Sequence, residues 1–129
     1  MAPDETHGTG EVVDLSAGAG SGPLWGMASH ELNATLLAWP AGHAVADHVN
    51  AEVDVLVVVL DGAATITIDD APHELSAPAT ILIPRGTRRA IRAGDRGTRY
   101  LSVHRRRGPL QIACPTPARA PAAAPTAAR

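Results

Sequence analysis

The sequence contains no lysine and no phenylalanine, one cysteine, and only 2% aromatic residues: Trp25, Trp39 and Tyr100. Each scarcity excludes something. One cysteine, Cys114, permits neither an internal disulfide nor a cysteine-based zinc cluster. Without phenylalanine, the core must be built from Val, Leu, Ile and Ala. The near-absence of stacking rings, with a net charge of −2, argues against nucleic-acid binding. The longest apolar run, Val55 to Leu60, is too short to cross a membrane. The N-terminus shows no basic stretch followed by an apolar one, so the expected location is cytoplasmic.

What is present suits one domain. The chain has 129 residues, 45% of them hydrophobic, with 12 Gly and 11 Pro to punctuate short segments. Charge is strongly segregated. All 11 basic residues are arginines at or after Arg85, and 12 of the 13 acids precede it, so residues 1–84 carry −12 and the rest +10. Strands from the two halves lying side by side would neutralise one another. Alternatively, some arginines line a pocket for an anion.

Met1 to Gly10 is polar and reads as a flexible end. The Pro/Ala tract from Cys114 to Arg129 lacks the periodicity to pack and reads as a disordered tail, leaving a folded part over 11–113. Within it, strands are predicted at Glu11–Leu15, Leu24–Ala28, Glu31–Trp39, Val53–Leu60, Ala63–Asp69, Thr80–Ile83, Arg88–Ala93, Thr98–His104 and Leu110–Ile112. Asp61-Gly62 reads as a hairpin turn, and Asp70-Ala71-Pro72 as another turn. No segment carries a helical stripe. Many short strands in about 100 residues imply a sandwich or barrel.

The punctuation from Gly42 to Ala93 resembles the two motifs of the cupin superfamily. Gly42 is followed by five residues and His48, with Asn50 at the place of the family's second histidine. Asp54 or Val55 falls at the glutamate, depending on whether spacing is counted from Asn50 or back from Gly62. Pro84-Arg85-Gly86 matches the second motif, with Arg89 at its histidine and Ala93 at its asparagine. The resemblance implies a double-stranded β-helix (jelly-roll) barrel, commonly a homodimer. It also implies a site where histidines and a carboxylate hold one divalent transition metal, Fe, Mn, Ni, Cu or Zn. Here His48 and Asp54 are the candidate metal ligands, and Arg89 stands where an imidazole would be. A salt bridge between Asp54 and Arg89 is the expected replacement for the metal.

Were residues 48–54 one regular strand, His48, Asn50, Glu52 and Asp54 would share a face. His104 would then complete a set of two histidines and one carboxylate, with Glu52 or Asp54 as the carboxylate. Three functions follow. The first is a barrel binding a small, anionic molecule through Asn50, Glu52, Arg89, Arg99, Tyr100 and His104. The second is a metal-dependent oxygenase or isomerase using His48, a carboxylate and His104. The third is a sensing or accessory protein whose tail or Arg105–Arg107 run meets a partner. The remaining histidines, His7, His30, His43 and His73, fall near turns or the terminus and read as solvated. Trp25 and Trp39 read as core or interface residues.

Overall fold

The computed structural model describes residues 10–106. All its regular elements are strands: β1 (Gly22–Ala28), β2 (Leu32–Trp39), β3 (Ala44–Val49), β4 (Val55–Ile68), β5 (Ala71–Ser76), β6 (Ala79–Ile83) and β7 (Arg88–Arg105). The expected strand at Leu110–Ile112, the C-terminal tail, His7, Arg107 and Cys114 lie outside the described residues. Among the described residues, no helix is long and apolar enough to cross a membrane.

Two long strands organise the barrel. The first half of β4 pairs with the second half of β7 (Leu56 opposite Val103, Val59 opposite Tyr100), and its second half with the first half of β7 (Ala64 opposite Ala93, Ile68 opposite Arg89). β2 and then β1 extend one layer from β7, and β6 flanks β4 there. β3 and β5 flank the other layer. All pairings are antiparallel, as in a jelly roll.

Asp61-Gly62 is therefore no hairpin turn. The chain passes straight through it with breaks in register on either side. Gly62 takes a φ of 73°, and a Cβ there would collide with the Gly97 carbonyl oxygen. The paired glycines let the two long strands bend together between layers. The reversal comes later, at Asp69 and Asp70, both with positive φ (48° and 72°) between the partners Ile68 and Ala71. Two such residues make a two-residue turn that matches strand twist. β5 thus occupies residues that read as loop.

The barrel interior is filled with aliphatic side chains. Val55, Val57 and Val59 alternate inward at 2% exposure or less, joined by Ile66, Ile83, Leu75, Ile91 and Tyr100. Full burial of such a side chain contributes about 1.5–3 kcal/mol. Leu56, between Val55 and Val57, faces outward, and it is paired with Leu82 and Val103. These three and Ala34, the partner of Val103, form an apolar row across four strands. Leu82 is 56% exposed and Leu56 38%.

The segment predicted as a first strand, Glu11–Leu15, is irregular and is bound to the barrel by Arg99. The Arg99 guanidinium donates to the carbonyls of Leu15 (3.2 Å), Ala17 (2.9 Å) and Gly18 (3.0 Å). Its five N–H donors in a planar fork suit it to grip several carbonyls at once. Arg99 thus has a structural use, holding the N-terminal segment to the barrel.

Candidate functional site

Residues 48–54 do not form one regular strand. β3 stops at Val49, and residues 50–54 are an irregular loop bent at Glu52. The parity that would set His48, Asn50, Glu52 and Asp54 on one face is lost. Asn50 is 8% exposed, and its Oδ1 accepts from the backbone N–H groups of Glu52 (3.0 Å) and Val53 (3.3 Å). Its own carbonyl accepts from the Gly86 N–H at 2.7 Å. Asn50 thus ties the loop to the Pro84-Arg85-Gly86 turn, as short polar side chains do where backbone would otherwise be unpaired.

Asp54 joins the same two segments. Its Oδ1 accepts from the Arg85 backbone N–H at 2.9 Å. The expected Asp54–Arg89 salt bridge gives way to this contact, because the loop directs Asp54 toward the turn. Nε of Arg89 instead donates to Nε2 of His48 at 3.2 Å, the two residues lying opposite each other on β7 and β3. Nδ1 of His48 lies 3.2 Å from the Ala46 carbonyl. A carbonyl only accepts, so Nδ1 carries the proton and Nε2 offers its lone pair to the guanidinium. His48 is exposed.

His48, Asn50, Glu52 and Arg89 line an open groove of about 370 Å³ together with Val49 and Ala51. Nδ2 of Asn50 is buried and has no hydrogen-bond partner, which leaves a donor unsatisfied at the groove wall. Such an orphan costs about 1–3 kcal/mol until an acceptor reaches it. Glu52 and Arg89 each have further interactions within the molecule. A larger depression of about 580 Å³ lies elsewhere, lined by Gly62, Ala77, Pro78, Asp95 and Arg96 among others. It contains no imidazole and no orphaned buried donor, so volume alone does not make it the better candidate.

In the interior, Tyr100 is 4% exposed, and its hydroxyl accepts from the Trp39 indole N–H at 3.1 Å. Burial raises the Tyr100 pKa above its ordinary value, opposed by the Trp39 hydrogen bond and by the charge of Arg89. That charge effect connects Arg89 to the polar end of the interior. His43, expected to be solvated, stacks on Trp39 with ring centroids 4.3 Å apart and an interplanar angle of 4°. Sequence reading missed this pair; its local signal was the short separation of the two rings around Pro40-Ala41-Gly42.

His104 is not brought to His48. It lies near the end of β7 opposite Asn33 of β2, whereas His48 sits beside Arg89 at the other end of that strand. Its Nδ1 is 2.8 Å from the Arg105 carbonyl and donates to it. The neighbouring arginines, read as an exposed charged run, secure backbone: Arg105 binds the Glu52 carbonyl at 3.2 Å and Arg106 the Ser29 carbonyl at 3.1 Å.

These contacts test the metal that the resemblance implies. The Nε2 lone pair of His48 is directed at a guanidinium N–H, and Oδ1 of Asn50 and Oδ1 of Asp54 receive backbone N–H groups. Arg89 cannot shed its charge to make room for a cation. Among the described residues, no group of three or more His, Cys, Asp or Glu side chains has the placement to hold a metal ion. The donor set does not fit a first-row metal.

No family model matches the sequence, and no curated protein resembles it at the level of sequence. Solved structures do resemble it in three dimensions. A Thermus thermophilus protein superposes with a TM-score of 0.66 at 21% identity, covering 76% of this chain and 99% of that one. A cupin protein of Bacteroides fragilis gives 0.56 at 27% identity, covering 62% and 70%. KdgF from Halomonas sp. gives 0.60 at 16% identity, covering 67% and 77%. The shared architecture, together with the Gly42–His48 and Pro84-Arg85-Gly86 punctuation, shows that this chain has a cupin-type fold.

Proposed function

We propose that the protein binds a small polar molecule with an anionic end, held at the His48–Arg89 groove with a guanidinium where cupins commonly place a metal. The observation that carries this reading is the 3.2 Å bond from Arg89 to His48, in a groove whose wall holds the orphaned Asn50 amide N–H. Arginine presents a planar fork suited to carboxylates and other oxyanions. Asn50 Nδ2 needs an acceptor, which an oxygen of the same anion supplies. Glu52, on the same groove, selects for a ligand that also carries a hydroxyl or ammonium group. The filled interior leaves the mouth, rather than the barrel centre, as the place for the ligand.

The test is isothermal titration calorimetry of the full chain against sulfate, acetate, lactate and succinate, alongside Arg89→Met. Saturable binding that disappears in the variant, with unchanged thermal unfolding, supports the reading. No binding across the panel, or equal binding by the variant, overturns it. The same proposal includes a homodimer, for which the bare row of Ala34, Val103, Leu56 and Leu82 supplies an apolar surface. Sedimentation velocity on wild type and Leu82→Asp checks this: a dimer is expected for the first and a monomer for the second.

A further inference from the structure

We infer that two copies of the chain pair by inserting Val12 of each into an apolar recess of the other, beside the exposed row on the outer face. The inference rests on the homodimer reading above and names the contact that makes it. The strand pairings extend that row to a fifth strand, because Met27 of β1 lies opposite Ala34. It then runs through Met27, Ala34, Val103, Leu56 and Leu82. With strands about 4.8 Å apart, the row is about 19 Å long, but it is only one side chain wide. A stable interface takes about 800 Å² from each partner, so the row alone is too small. Two further features lie on the same face. One is a recess of about 240 Å³, walled by Met27, Leu32, Ala34 and Val103 together with Glu11 and Ser29. The other is Val12, an apolar side chain that is 99% exposed.

The neighbours of Val12 hold it on that face. Glu11 walls the recess beside Val103, and the Leu15 carbonyl accepts from Arg99 at 3.2 Å. The N-terminal segment therefore runs along the outer side of β7 from Val103 to Arg99. Leu36 lies next to this path, opposite Leu101. It is fully buried yet stands apart from the interior cluster, whereas Leu37 packs against that cluster. Leu36 thus faces outward and is covered there. Val13 and Leu15 of the segment are half-buried, while Val12 is turned to water. Arg99 donates to the carbonyls of Leu15, Ala17 and Gly18, so the segment is already fixed before association, which lowers the ordering cost of pairing. A projection and a recess on one face of one chain are what a two-fold interface requires, since each copy both offers and receives. A second copy fills the recess, twice per dimer, and the segment adds the area that the row lacks.

The experiment is sedimentation equilibrium of the full-length chain over a series of concentrations, for wild type, Val12→Ala, Val12→Asp and Leu82→Asp, with thermal unfolding measured alongside. Val12 is so exposed that both of its variants should unfold at the wild-type temperature. Val12→Ala should raise the dimer dissociation constant about hundredfold, because two carbons leave each of two equivalent contacts. Val12→Asp should be monomeric. Oxidative cross-linking then locates the contact, in chains that carry Cys114→Ser to remove the native thiol. Val12→Cys mixed with Ala34→Cys should give a mixed disulfide between the two chains. A dimer that Leu82→Asp dissociates but both Val12 variants leave unchanged, with no mixed disulfide, overturns the inference and leaves the homodimer reading intact. A wild type that is monomeric at every concentration overturns the homodimer reading and this contact with it.

Discussion

The aliphatic interior and the polar mouth of this barrel are built on opposite rules. Between the layers, Val55, Val57, Val59 and Ile66 come from strands that alternate regularly and pair along most of their length. At the mouth, β3 ends at Val49, the loop over residues 50–54 bends, and an amide and a carboxylate satisfy backbone N–H groups that no strand pairs. The interior is stabilised by burial, which depends little on chemical identity provided volume is kept. The mouth depends on individual polar atoms and on the particular partners each one meets. In this barrel the candidate site sits at the end of β3, where regular pairing stops.

Substitutions can break or sharpen that contrast. The largest effect is expected at the centre. Ile66 is fully buried, and Ile66→Ala should lower unfolding free energy by about 2–5 kcal/mol, read as a fall in the urea midpoint at constant slope. Removing the polar strut should cost less: Asn50→Ala leaves the Glu52 and Val53 N–H groups without their acceptor, for a loss of about 1–3 kcal/mol in the same assay. A loss as large as that of Ile66→Ala would show that the mouth is part of the cooperative core.

Tyr100 tests where the regions meet. Its folded pKa is raised above the ordinary value of 10.0 mainly by burial, so the folded state holds the phenolic proton more tightly than the unfolded chain does. The resulting stability is complete below about pH 10 and is lost as pH rises through the higher folded value. Denaturation midpoints between pH 9 and 11.5 should therefore fall for the wild type, and fall less for Tyr100→Phe. Equal alkaline loss in both would assign the effect to another group.

Asp54 should be a smaller case. Asp54→Ala removes one acceptor from the exposed Arg85 N–H and should cost about 0.5–1.5 kcal/mol, with Asp54→Asn recovering part of it. Smallest of all, His48→Gln should change unfolding free energy by no more than about 0.5 kcal/mol, since His48 is exposed and an acceptor for Arg89 is kept. Any large destabilisation there would make the His48–Arg89 bond a structural device.

Much of the interior was legible from the chain. The alternation of Ala63–Asp69 and the β-branched run at Val53–Leu60 identify strands, because burial on one face imposes period two. The link between those two runs was not legible. Asp-Gly is a strong local hairpin signal, yet Asp61-Gly62 is crossed by one continuous strand, since Gly62 lies against Gly97 some 35 residues further on and the two bend together. β3 and β5 were missed for a related reason. AVADHV and APHELS present mostly exposed residues without clear alternation, and they are strands because β7 and β4 offer them partners.

The sequence by itself determined that the chain is all-β, that its core is aliphatic, and that Asn50 and Arg89 stand where the cupin motifs carry imidazoles. These are properties of residue type and local spacing. Only the tertiary structure decided which partners the polar side chains meet. Arg89 bonds to His48 across 41 residues, Asp54 turns to Arg85, Arg99 grips the N-terminal segment, and His104 remains on β2's side of the barrel. Hydrogen bonds are set by direction and distance between atoms of distant segments, and no local pattern encodes which of several arginines arrives within reach.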